Sequence, residues 1–299
     1  MGDAVLDYAA LAALAAVVRE GSFERAAQAL HVTPSAVSQR VRLLEERVGC
    51  ALVVRGQPCR ATDVGQHLCR HLAQVRLLEH DLQVVLPVAA PTAERARLPV
   101  AVNADSLASW FAPAASQYAA TAPVLLELTV DDQDHTAERL RSGAVLAAVT
   151  ALAKPAAGCN SQALGTLRYL AVGSPAFMAR HFAEGVQARS LALAPSLLFD
   201  RKDQLQARWV RRQCRKAVPL PCHLLPSPQA FIEAGLAGMG WGMQPLPLVQ
   251  PLLAAGRLVE LVPGTPLDVP LYWQHARAAS ALLDGLGRAV LVAARAALG

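Results

Sequence analysis

Residues 22–45 read SFERAAQALHVTPSAVSQRVRLLE, two short amphipathic segments separated by a tight turn. Ser22 is a good N-cap and Glu24 suits a first helical turn, so a helix is expected from Phe23 to Leu30. Ala26, Ala27 and Leu30 form its apolar face, and the small alanines allow close helix contact. His31 and Val32 make the turn. Thr33 then caps a second helix that starts at Pro34, where a missing N–H costs nothing. Ala36, Val37, Val41 and Leu44 point inward in that helix, which leaves Ser35, Ser38, Gln39, Arg40 and Arg42 outside. A pinned helix with this surface suits the major groove, because Arg and Gln can bond base edges bidentately and Ser can reach bases or phosphates. A plain helical hairpin with a solvated face is the simpler alternative. The caps, small-residue face, short turn and Thr-Pro start together favour DNA.

Working outward, Tyr8, Leu11, Leu14, Ala15 and Val18 give a helical stripe for a first helix that closes a three-helix core. Ala51–Arg55 reads as a strand, Gln57–Cys59 as a turn and Arg60–Thr62 as a second strand: a wing, with Arg55 and Arg60 toward phosphates. The alternative is an ordinary surface hairpin. Thr62 caps a long helix to about Leu86, with Val64, Leu68, Leu72, Val75, Leu78, Leu82 and Val85 in a stripe. Such a stripe suggests an antiparallel helix pair between two copies. His67 and His71 have i, i+4 spacing, but without a Glu partner motif or further ligands they favour a solvated face over a metal site.

The 299 residues suit two or three domains, and 54% hydrophobic against 17% charged residues is a globular composition. Residues 1–60 carry seven Arg against six acids, so patterning rather than net charge points to DNA. There is no basic region before an apolar run at the N-terminus and no run of membrane-span length, which predicts a cytoplasmic protein with no membrane partner. Six irregularly spaced cysteines read as reduced thiols.

Pro87–Pro99 marks a linker. Beyond it, strands are expected at Leu98–Val102, Val124–Val130, Val145–Val149, Thr166–Val172, Leu197–Phe199, Cys222–Leu225, Trp241–Met243 and Val269–Trp273. Helices fall between them, including Ser106–Ala120 and His135–Ser142. That alternation predicts parallel sheets with ligands beyond the strands' carboxyl ends. The polar residues there are Asn103, Asp105 and Ser106 at a helix start, able to seat a carboxylate. Others are Asp131, Asp132 and Asp134, which ask for a cation, then Phe199 with Asp200, and Ser227. A zwitterion with a cationic tail would satisfy both ends; ordinary caps and turns are the alternative.

The run from Ser22 to Glu45, with Thr62 and Gly65 ending the wing, resembles the helix-turn-helix of LysR-type transcriptional regulators. Residues 103–110 (NADSLASW), 130–134 (VDDQD), 221–231 (PCHLLPSPQAF) and 271–273 (LYW) are similar to the ArgP/LysG/IciA branch of that family, so the resemblance spans nearly the whole chain. It implies an α/β architecture: a winged helix-turn-helix over residues 1–62, a linker and dimerisation helix over 63–90, and a bilobed, periplasmic-binding-protein-like effector domain over 91–299. Lobe one would be 97–168 plus 269–299 and lobe two 169–268. It also implies a homodimer or homotetramer on double-stranded promoter DNA, contact with RNA polymerase, a basic amino acid (L-lysine or L-arginine) as effector, no cofactor, and control of an exporter gene. Pro34 stands where many members carry Gln. The basic segment 201–216 (RKDQLQARWVRRQCRK) matches no known motif of the family; it reads as a solvated helix face, or else as a contact to DNA backbone or a neighbouring subunit.

Enzyme readings are weak. The glycines of residues 235–242 lie between a helix and a strand, the wrong context for a dinucleotide loop, and no G-x-S-x-G elbow occurs. Cys222 and His223 are adjacent in a strand and so face opposite ways. The expected protein is a regulator in which Ser35, Ser38, Gln39 and Arg40, with Thr33 and Pro34 at the helix tip, meet bases while Arg42, Arg55 and Arg60 hold backbone. The alternatives are a LysR-type regulator with another effector, an effector-independent DNA-structural or replication-control protein, and a free solute-binding protein.

Overall fold

The computed structural model describes residues 6–85, 95–130, 136, 139–140, 144–277 and 280–298. Three helices open the chain: α1 (Tyr8–Glu20), α2 (Phe23–Ala29) and α3 (Pro34–Val48). Their starts are fixed by the side chains of Asp7, Ser22 and Thr33, each accepting from first-turn N–H groups. Leu11, Leu14, Val17, Ala26, Ala27, Val37, Val41 and Leu44 close one core. Ala36 is only half-buried, and Tyr8 is 46% exposed with its ring 6.3 Å from that of His71. The buried arc of α1 is therefore shifted and widened from the predicted stripe, because α2, α3 and the next long helix all pack on it.

The wing is shorter than expected: β1 (Val53–Val54) pairs antiparallel with β2 (Arg60–Ala61). Leu52 instead turns fully inward, and its N–H and that of Val53 bond Glu45 Oε1 at 2.8 and 3.3 Å, tying the wing to α3. Helix α4 (Asp63–Val85) follows, with Thr62 Oγ1 accepting from Gly65 N. Gly65 allows a close approach, since a Cβ there would stand 2.2 Å from the Leu52 carbonyl oxygen. Leu72 of α4 belongs to the N-terminal core. Leu77, outside the predicted stripe, is buried in the larger core, and Asp81 accepts from Ala281 N at 2.8 Å. Stripe residues Val64, Leu78 and Leu82 stay exposed.

The remaining elements are β3 (Ala96–Val102), α5 (Ala104–Ser106), α6 (Ala112–Thr121), β4 (Val124–Val130), β5 (Ala147–Thr150), β6 (Cys159–Gly173), α7 (Pro175–His181), α8 (Ala188–Leu191), β7 (Ser196–Leu198), α9 (Leu205–Cys214), β8 (Cys222–Leu224), α10 (Pro228–Leu236), β9 (Gly242–Pro245), α11 (Leu246–Ala254), β10 (Val259–Glu260), β11 (Leu267–Ala276) and α12 (Ala281–Leu298). A π-helical turn, Leu107–Phe111, joins α5 to α6. Pro113, lacking an N–H for the preceding turn, lies just beyond it. The expected helix over 135–142 falls mostly outside the described residues.

Among the described residues the larger sheet runs β10-β6-β11-β5-β3-β4, with β9 also paired to β6. The parallel expectation holds for β3 with β4 and β5, and for the separate β7–β8 pair. It fails elsewhere, because β6 pairs antiparallel with β9, β10 and β11, and β5 with β11. Long β6 and returning β11 run through both halves of the sheet and turn it into a mixed one. Their ladder shifts register between Leu271 and Tyr272, opposite Gly165, whose φ of 122° is open to glycine. Phe111, Trp209, Trp241, Trp273 and Leu286 are at most 1% exposed and anchor the core.

Candidate DNA-reading surface and effector cleft

Helix α3 turns Val37, Val41 and Leu44 inward, and this fixes what faces out. Pro34, Ser35, Gln39 and Arg42 are exposed, and Ser38 and Arg40 are half-exposed. Exposed Thr33 accepts from Ala36 N at 3.2 Å, and its hydroxyl lies 3.0 Å from that of Ser35. Arg42 pairs with Glu46 one turn on, at 2.8 Å, and its side chain is 75% exposed; so open a pair is weak enough to yield to a phosphate. Arg55 lies just outside β1 and holds its guanidinium 5.6 Å from the Phe23 ring centre, and Arg60 is exposed on β2. The outward face of α3 and the wing arginines are thus exposed or half-exposed to solvent. Replacing Arg55 by Ala is expected to weaken binding to every duplex alike and to lower the slope of log K against log salt by about 1. Equilibrium binding across a salt series checks this, and an unaltered slope removes Arg55 from the phosphate contacts.

The second site forms where β3 ends. Asn103 Oδ1 caps α5 by accepting from Ser106 N at 2.9 Å. Asn103 Nδ2 and Ser106 Oγ are buried and have no hydrogen-bond partner among the described residues. The next side chain, half-buried Asp105, accepts from the Tyr169 hydroxyl of β6 at 2.7 Å. Burial pushes the Asp105 carboxyl up to about 6, the Tyr169 bond draws it down, and the charge of Asp203 raises it again. Burial, together with the Asp105 charge, holds the Tyr169 phenol well above its ordinary value, so it remains a donor.

Asp203 arrives from the loop between β7 and α9. Burial raises its carboxyl, N–H groups of Leu205 and Phe199 and the Gln206 side chain oppose that, and Asp200 adds a further upward push. Two carboxylates therefore share one half-buried region, and neither is ion-paired to a cation among the described residues. Such a pair favours an incoming positive charge.

Other predicted residues sit nearby with local duties. Asp200 Oδ1 accepts from Lys202 N at 2.7 Å and Asp203 N at 3.0 Å, a turn cap. Half-buried Phe199 gives its N–H to Asp203. Ser227 caps α10 through Ala230 N. Parallel pairing of Leu198 with Leu224 brings Phe199–Asp200 and Ser227 to one sheet edge. Asp131, Asp132 and Asp134 lie outside the described residues. Sequence reasoning missed Asp203 and Tyr169. The one available signal for Asp203 was a lone acid at the start of a basic amphipathic helix.

An exposed helix face beside an arginine-bearing wing, joined by a long helix to a mixed α/β body that holds two neighbouring half-buried carboxylates, is the make-up of a DNA-binding regulator with a sensing domain. Two family profiles match: the bacterial regulatory helix-turn-helix protein, lysR family, over residues 8–66, and the LysR substrate binding domain over residues 91–292. The HTH-type transcriptional regulator ArgP of Pseudomonas aeruginosa (strain UCBPP-PA14) is 46% identical over 290 residues, 97% of this chain and 96% of its own. LysG of Mycobacterium tuberculosis (strain ATCC 25618 / H37Rv) is 47% identical over 274 residues, 92% of this chain and 89% of its own. The crystal structure of ArgP from Mycobacterium tuberculosis matches with TM-score 0.84 and 44% identity over 97% of this chain and 98% of that one. Full-length LysG from Corynebacterium glutamicum with bound effector Arg matches with TM-score 0.74 and 37% identity, covering 98% and 99%. The chain belongs to the lysR family of transcriptional regulators and is of its ArgP/LysG type. It is a regulator of transcription and not an enzyme. No helix among the described residues is long and apolar enough to cross a membrane.

Proposed function

We propose that this regulator senses L-arginine or L-lysine and through it controls a promoter for amino-acid export. The observation that carries the reading is the Asp105–Asp203 pair, two half-buried carboxylates with no cation paired to them among the described residues. The effector's guanidinium or ammonium supplies the missing charge, and its α-carboxylate meets the unsatisfied Asn103 Nδ2 and Ser106 Oγ. Phe199, Asp200 and Ser227 border the same cleft, with Asp131, Asp132 and Asp134 as candidates from the next strand end. Bound Arg in the LysG structure supports this choice of ligand.

The reading divides the chain at residues 62 and 90, with lobe one at 97–168 and 269–299 and lobe two at 169–268. β6 and β11 cross between the lobes, so a ligand that prefers one lobe arrangement shifts the assembly on DNA. The cytoplasmic assembly is a homodimer or homotetramer, and RNA polymerase is the machinery it acts on. Leu78 and Leu82, 49% and 56% exposed on α4, supply the dimer seam. Replacing both by Glu is expected to halve the sedimenting mass while leaving helical content intact; an unchanged mass removes α4 from the seam. The functional test is footprinting on the exporter promoter with and without L-arginine. A footprint that changes extent or register with ligand is expected, and one indifferent to lysine and arginine overturns the proposal.

A further inference from the structure

Residues 201–216 hold seven Arg and Lys and one acid, Asp203. That acid turns inward, accepting from Phe199 N and Leu205 N. Helix α9 is fixed by buried Gln206, Trp209 and Val210, with Trp209 Nε1 donating to the Thr265 carbonyl at 2.9 Å. Its outer face presents exposed Arg208, Arg211, Arg212 and Arg215, spaced i, i+3, i+4 and i+7 on one stripe. Arg212 also donates to the Pro266 carbonyl. Like charges at this spacing repel one another and weaken the helix they sit on. Arg215 adds a second cost: it ends α9 in the left-handed region at φ 55°, a position that favours glycine, yet a long cation stands there. Arg201 and Lys216, both exposed, extend the charge at either end.

We propose that this face of α9 is a second DNA-backbone contact, gripping duplex that flanks the segment read by α3. A rigid row of guanidiniums on a helix that carries no acid of its own is complementary to a row of phosphates and carries no base-reading chemistry. The loop bearing Asp203 leads directly into α9, so the same short segment joins the acidic cleft to the proposed grip.

The test uses the full chain and two duplexes, one limited to the α3 site and one extended by several helical turns. A triple Arg208→Gln, Arg211→Gln, Arg215→Gln variant is compared with a triple Arg→Lys variant at the same positions. On the long duplex the Gln variant is expected to lose about 2.7 from the salt slope for each patch engaged, with no change on the short duplex. The Lys variant keeps the slope, which separates lost charge from lost folding. An unchanged slope on the long duplex overturns the proposal. So does a changed oligomeric mass with the slope intact, which would assign the patch to a protein interface.

Discussion

Replacing Asp105 and Asp203 together by Asn is expected to weaken L-arginine binding by about a thousandfold, while the protein stays folded. Removing one partner of a buried charge pair in an interface costs about 2–5 kcal/mol, which is roughly 30-fold to several thousandfold in affinity. In the proposed seat both Asp residues face the incoming cation, so the double variant is expected toward the upper end. Asn keeps the shape and can still accept from Tyr169 at position 105 and from Leu205 N at position 203, giving up only the bond from Phe199 N to the second Asp203 oxygen. The pH dependence has a defined sign. With its carboxyl up at about 6, Asp105 is ionised at neutral pH and takes a proton below about 6. In the proposed seat arginine needs the ionised form, so affinity is expected to fall as pH drops through 6, by up to about tenfold per unit. Stability of the free chain runs the other way. A raised carboxyl makes protonation favour the folded state, so this group's contribution is greatest below about 4 and is lost as pH rises through 6. Asp105→Asn removes that loss and is expected to stabilise the ligand-free protein at neutral pH. Calorimetric titration at several pH values and thermal unfolding of the variants check both signs; equal affinity at pH 5.5 and 7.5 would remove Asp105 from the cation seat.

Gly65→Ala is expected to abolish DNA binding and leave arginine binding intact. A Cβ at this position would lie 2.2 Å from the Leu52 carbonyl oxygen and 3.4 Å from Ala61 Cβ, and a backbone oxygen cannot swing aside as a side-chain tip can. The wing must therefore lift from the first turn of α4. That breaks the Thr62 bonds to Ala51 O and Gly65 N and strains the grip of Glu45 on Leu52 and Val53. Overpacking of this kind costs about 1–3 kcal/mol or more, enough to displace the wing from α3. The effector cleft has its own core, so its ligand is expected to bind as before. Mobility-shift and calorimetric measurements on one preparation separate the two, and wild-type DNA affinity in the Ala variant would refute the account of this contact.

The N-terminal helices were legible because their signals are local: Ser22, Thr33 and Thr62 cap where their sequence context says they should. The wing was overread because Leu52, within an apolar run, turns into the core instead of pairing. The antiparallel half of the sheet was hidden for a different reason. The opening of β6, residues 159–165 (CNSQALG), is polar and small, and only its nonlocal pairing with β11 makes it a strand. In the cleft, Asp105 was legible from its place at a helix start. Asp203 was masked by the basic run around it, and Tyr169 lies within the expected strand Thr166–Val172 with nothing in its local sequence to single it out. Asp200 closes a turn through Oδ1, and short-range bonding of an Asp to its own loop cannot be told from ligand binding by spacing alone.

The central claim is that the cleft is built for a positive charge at the far end of an amino acid. Titration of the full chain with L-arginine and with L-citrulline, its uncharged isostere, tests it most directly. The account predicts one saturable site per chain for arginine and no measurable binding of citrulline; equal binding of the two would contradict it.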